Sequence, residues 1–187
     1  MFASMHSLGN ARAEIRRSSG GGFAFLLANG LGWLTAGIIG LVFGPKAGAW
    51  VLLFQGGVTL PLAFGLERAL GYPKLAKDNP LLPLVIQLAM TQVVALPAVI
   101  LVIQLNHALL PVAFAAVVGG HFLPYAWLQA SRTYIVLAIV VGVLPWAVMT
   151  VIGRSVLPYV PLAVAFALMA GACKLRAEVA RDLAAIR

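Results

Sequence analysis

No formally charged residue occurs between Asp78 and Arg132. A run of that length does not suit a water-soluble domain, which carries about a quarter of its residues as charges to clothe its surface. It suits two crossings of a ~30 Å hydrocarbon core, each needing about 20 helical residues at 1.5 Å apiece. Leu105-Asn106-His107-Ala108-Leu109-Leu110-Pro111 supplies a turn between the two. The rest of the chain repeats the pattern, with apolar runs at about 22–43, 48–68, 81–104, 111–130, 133–152 and 156–173. Of 187 residues, 62% are hydrophobic and 10% are charged, so lipid is the solvent that fits this surface. The single Cys173 excludes a disulfide scaffold, and the hydrophobicity excludes disorder. The expected fold is all-α and polytopic. Six transmembrane helices form one bundle over 22–173, preceded by an N-terminal segment 1–21 and followed by a basic tail 174–187.

Orientation follows from Lys and Arg, which resist translocation. With the N-terminus in the cytoplasm, every Lys and Arg except Lys46 and Arg154 falls on the cytoplasmic side, so both termini are expected there. The net charge of +8 then reports topology and attraction to anionic lipid. It does not indicate a nucleic-acid partner, because the basic residues are scattered among loops without interleaved aromatics or a recognition module. Residues 1–21 are polar with a basic cluster. They do not read as a signal peptide, because Phe23 to Phe43 is too long for its apolar core and no small-x-small cleavage site follows. In the tail, Leu175, Val179, Leu183 and Ile186 share one helical face, with Lys174, Arg176, Arg181 and Arg187 on the remainder. This spacing predicts an amphipathic helix that continues the sixth span onto or out of the membrane surface, or else a dimer contact.

Small residues recur every four positions in the first span at Ala28, Gly32, Ala36, Gly40 and Gly44, and a shorter stripe, Ala163, Ala167 and Gly171, marks the sixth. Such stripes let two backbones approach closely. They serve either packing within the bundle or a homo-oligomer seam. The segment Gly56-Gly57-Val58-Thr59-Leu60-Pro61-Leu62-Ala63-Phe64 is echoed by Gly119-Gly120-His121-Phe122-Leu123-Pro124-Tyr125-Ala126-Trp127, through duplication or through the abundance of these residue types. Pro61 and Pro124 lack an N–H and free the carbonyls of Gly57 and Gly120. With glycines alongside, the second and fourth helices are expected to kink or unwind locally.

His121 lies near the middle of the fourth span and is the one ionisable side chain placed so deep; Tyr125 follows one turn later. Ionisable groups at membrane depth mark functional sites, and imidazole exchanges a proton near neutral pH. The alternative is a neutral ring bonded to a neighbouring helix. Asn29, Gln55, Thr59, Gln87, Thr91 and Gln92 either line a polar path with His121 or act as interhelical hydrogen bonds. Glu67 and Arg68 read as interfacial. No Ser or Asp lies within a span, which removes the nucleophile of a serine intramembrane protease and the dyad of an aspartyl one. Three scattered His and one Cys give no metal-ligand spacing, so neither metal nor cofactor is expected. Two functional classes follow. One is a small-solute transporter or channel with a midplane site around His121 and Tyr125. The other is a non-transporting oligomeric scaffold or subunit of a larger membrane complex. An enzyme would lack a second catalytic group beside His121.

The stretch Gly119-Gly120-His121-Phe122-Leu123-Pro124-Tyr125-Ala126-Trp127-Leu128, followed by Ser131-Arg132-Thr133-Tyr134, resembles the signature of a family of small bacterial integral membrane proteins of unknown function. Asn79-Pro80-Leu81 at the start of the third span and Pro61-Leu62 in the second are similar to the same family, so the likeness runs from about residue 20. The resemblance implies a bacterial cell inner-membrane protein of about six helices. It implies no substrate and no catalytic residue.

Overall fold

The computed structural model describes residues 2–185. Its helices are α1 (Phe2–Ser18), α2 (Phe23–Phe43), α3 (Pro45–Ala69), α4 (Leu82–Leu105), α5 (Leu110–Leu128), α6 (Thr133–Leu137), α7 (Leu144–Ile152) and α8 (Val160–Ala185), and no strand occurs among the described residues. Tight turns at Gly20–Gly22, His107–Leu109 and Arg154–Tyr159 link neighbours, and a wide π turn, Ala138–Val143, joins α6 to α7. Six segments are long and apolar enough to cross a bilayer: Gly20–Phe43, Pro45–Ala69, Leu82–Leu105, His107–Leu128, Thr133–Ile152 and Arg154–Ala184. The chain is therefore a multi-pass membrane protein, and its spans begin and end within a few residues of the apolar runs, the extended sixth apart.

Arg16 of α1 meets Asp182 near the end of α8 at 2.8 Å, so both chain ends lie at one end of the bundle. This terminal end also carries the 70–81 and 129–132 connections. α8 has 26 residues and is about 39 Å long, more than the ~30 Å core. It runs without a break through residue 174. On the amphipathic face of the tail, Leu175 is buried, Val179 half-buried and Leu183 exposed; Ile186 and Arg187 lie outside the described residues.

α2 is packed on two sides by its own chain. Towards α3, the Gln55 side chain lies over Gly32, and a Cβ on Gly48 would come 2.8 Å from both the Ala36 carbonyl oxygen and the Gly40 Cα. Towards α8, Gly30 faces Met169 and Ala165, and Gly37 faces Leu162. Ala28 and Ala36 are buried, and the stripe ends at Gly44, which turns the chain into α3 with φ +93°. The stripe expected either inside the bundle or between copies thus lies inside it. Gly32, Ala36 and Gly40 pack on α3, the small side chains drawing the next helix in the chain onto them. On α8, Gly171 packs on Leu137, while Ala163 is exposed.

The unwinding expected at Gly56-Gly57 and Gly119-Gly120 does not occur: α3 runs through Pro61 and α5 through Pro124. One missing N–H does not open a helix whose remaining backbone groups have no water to turn to. The irregular helix is in the fifth span. There the Leu144 N–H donates to the Ile139 carbonyl, five residues back, just before Pro145, which leaves the Val141 carbonyl without its usual donor. Gly142 in this π turn meets Gly119 backbone to backbone. The two echoed segments pack differently, since Gly56, Gly57 and Gly120 have open space where a Cβ would lie.

Candidate functional site

At span depth the structure brings together three of the polar residues singled out above. The Thr91 hydroxyl lies 2.6 Å from the Leu88 carbonyl, to which it donates its one hydrogen. Its oxygen, 3.1 Å from His121 Nδ1, is then left to accept from that ring nitrogen. In a neutral ring this selects the Nδ1–H tautomer and leaves Nε2 as an acceptor. The Tyr125 ring lies 4.9 Å from the imidazole, centroid to centroid. The remaining residues do not converge on this group. Gln55 is buried beneath α2 with its Oε1 unpartnered. Gln87 is exposed and lines a cavity of 440 Å³ with Lys77, Asp78 and Asn79 at the terminal end. Asn29, Thr59 and Gln92 are half-buried, with no hydrogen bond recorded among the described residues. No cluster of three or more potential metal-ligating side chains occurs among the described residues.

The denser polar assembly is at the terminal end, beneath α1. This helix docks because Ala11 and Ile15, one turn apart, bury against Leu81, Leu88 and Leu128. Asn79 is buried and uses both amide hydrogens and its amide oxygen. It donates to the Ala11 carbonyl at 3.1 Å and to Glu14 at 2.9 Å, and accepts from the Leu81 N–H at 2.9 Å. The second Glu14 oxygen accepts from the Ala76 N–H at 2.9 Å. The Arg12 guanidinium stacks 4.7 Å over Trp127 and donates to its carbonyl. Arg16 donates to Asp182 from Nε at 3.0 Å and Nη2 at 2.8 Å, to the Gln129 carbonyl, and lies 3.6 Å from Glu178. Only 13% of the Arg16 side chain is exposed, so these charge-assisted bonds are screened less than surface pairs. Glu178 also accepts from the hydroxyls of Ser131 and Thr133, both at 2.6 Å. Tyr134 donates to the Gly21 carbonyl at 2.8 Å. Between α1, the 130–132 turn and the end of α8 opens a cavity of 570 Å³, lined by Arg12, Arg16, Arg132 and Arg181 together with Glu178 and Asp182.

The hydrogen bonds from Ala76 and Asn79 hold the Glu14 carboxyl below its ordinary value of 4.5. A depressed carboxyl stabilises the folded state above its unfolded pKa and loses that contribution as pH falls through the folded value. The expected result is that protection of the 74–80 connection against hydrogen exchange is constant above about pH 5 and falls below pH 4.5. In Glu14→Gln that step disappears.

Residues 8–178 match the model of a family described as a family of unknown function, DUF7010. The chain belongs to that family. No curated protein and no solved structure matches it. The family match begins earlier than the resemblance drawn from sequence and takes in the docking face of α1, Ala11 to Arg16, as well as Glu178. Four residues that carry the resemblance act at the terminal end: Ser131 and Thr133 hold α8, Tyr134 holds the Gly20–Gly22 turn, and Asn79 holds α1. Sequence reading missed Glu178, Asp182 and the structural role of Arg12 and Arg16. The available signals were Arg12/Arg16 and Glu178/Asp182, each pair one helical turn apart, with Ala11 and Ile15 beside the arginines.

Proposed function

We propose that this protein resides in a bacterial cell membrane with both termini in the cytoplasm and passes a small polar solute by way of His121. The placement of Lys and Arg supports the orientation, since Lys46 and Arg154 alone fall at the end opposite the termini. The observation that carries the solute reading is the Thr91 to His121 hydrogen bond, which presents the imidazole Nε2 as an acceptor at span depth. On the scaffold alternative, the stripe of α2 is engaged with α3 of the same chain, which leaves the C-terminal tail as the contact to a partner.

A solute path requires water at His121. With Cys173→Ser as background, His121→Cys is expected to react with a membrane-impermeant thiol reagent from at least one side, faster than Leu123→Cys on the exposed face of the same helix. Failure to react from either side would overturn the reading.

A further inference from the structure

We propose that the 570 Å³ cavity beneath α1 is a binding site for a phosphate-bearing anion. Its volume falls in the range of small-molecule pockets, about 300–1,000 Å³. Four arginines and two carboxylates line it, and the carboxylates are already engaged: Asp182 by two nitrogens of Arg16, Glu178 by Ser131, Thr133 and Arg16. Arg16 is likewise committed. Arg132 and Arg181 face the cavity without an acidic partner among the described residues. The walls therefore carry an excess of positive charge and unused N–H donors. Guanidinium groups pair with the oxygens of a phosphate through parallel hydrogen bonds. The cavity lies at the terminal end of the bundle, lined by α1, the 130–132 turn and the last turns of α8, so either a soluble phosphomonoester or the headgroup of an anionic phospholipid presents the required chemistry. The site is separate from His121 and stands or falls independently of solute passage there.

The test uses the full chain, delipidated in neutral detergent, with thermal unfolding followed at pH 7.5. Inorganic phosphate and glycerol phosphate are titrated against sodium chloride of matched ionic strength, and a second arm compares nanodiscs with and without phosphatidic acid. Saturable stabilisation is expected in the wild type. It is expected to survive in Arg68→Ala/Lys74→Ala, which removes two positive charges from outside the cavity, and to weaken at least about tenfold in Arg132→Ala/Arg181→Ala. A shift with the soluble phosphates identifies a soluble ligand, and a shift confined to phosphatidic acid identifies the headgroup; either supports the site. The proposal is overturned if neither arm stabilises the protein, if Arg132→Ala/Arg181→Ala responds like the wild type, or if both double variants lose the response equally.

Discussion

Gly22→Ala is expected to destabilise the protein by roughly 2–5 kcal/mol in reversible unfolding from detergent. Gly20, Gly21 and Gly22 all have positive φ, and that of Gly22 is +87°. A side chain there costs about 1–2 kcal/mol from backbone sterics alone. The added methyl also overlaps the hydroxyl of Tyr134, whose ring is 3% exposed and has no room to withdraw. Displacing it breaks the bond to the Gly21 carbonyl and leaves buried polar atoms unpaired, worth another 1–3 kcal/mol or so. Tyr134→Phe is the informative partner. Without the hydroxyl the nearest ring carbon lies 3.4 Å from the new Cβ, an ordinary contact, so Tyr134→Phe is expected to recover part of the loss in Gly22→Ala. Gly20→Ala should cost less, because the overlapping group is Tyr72, a half-buried ring at the edge of the 70–81 connection. A Gly22→Ala protein as stable as the wild type would contradict this turn.

Gly119→Ala comes next, at about 1–3 kcal/mol or somewhat more. The obstacle is backbone: the Cβ would overlap Cα and N of Gly142 and lie 2.9 Å from the Ala138 carbonyl oxygen. No side chain can swing aside, so α5 and the π turn must separate, with loss of packing around Val118 and Val141. Gly120→Ala is the control one residue away. Nothing lies within 4 Å of its Cβ position, and alanine is preferred to glycine within a helix by about 1 kcal/mol, so this variant is expected to match or exceed the wild type. Equal destabilisation by the two would remove the close contact from the account.

What the chain shows before folding and what it hides divide along physical lines. The spans were legible because lipid demands continuous apolar length, a property of sequence alone. The stripe of α2 was legible as a packing surface, but which helix covers it depends on how the spans are arranged, and no local pattern encodes that. His121 and Tyr125 were found by depth, and Thr91 by being polar. Gln55, Gln87 and Gln92 have equal polarity in sequence, yet they go to a helix contact, a terminal cavity and a half-buried position without a recorded bond. The expectation of helix breaks at Pro61 and Pro124 overweighted a single missing donor. The terminal assembly was hardest to read, because Arg12, Arg16, Glu178 and Asp182 look like solvated charges until residues 166 positions apart are brought together.

The clasp between Arg16 and Asp182 has a consequence for the order of events during synthesis. α1 leaves the ribosome before any of its partners, and its contacts mature in sequence: Glu14 waits for Ala76 and Asn79, Arg12 for Trp127, and Arg16 for Gln129 and then Asp182. α1 is thus fully secured only once α8 has followed it out. A nascent chain halted before α8 would hold Arg16 by the Gln129 carbonyl alone, its guanidinium still without the carboxylates of Glu178 and Asp182.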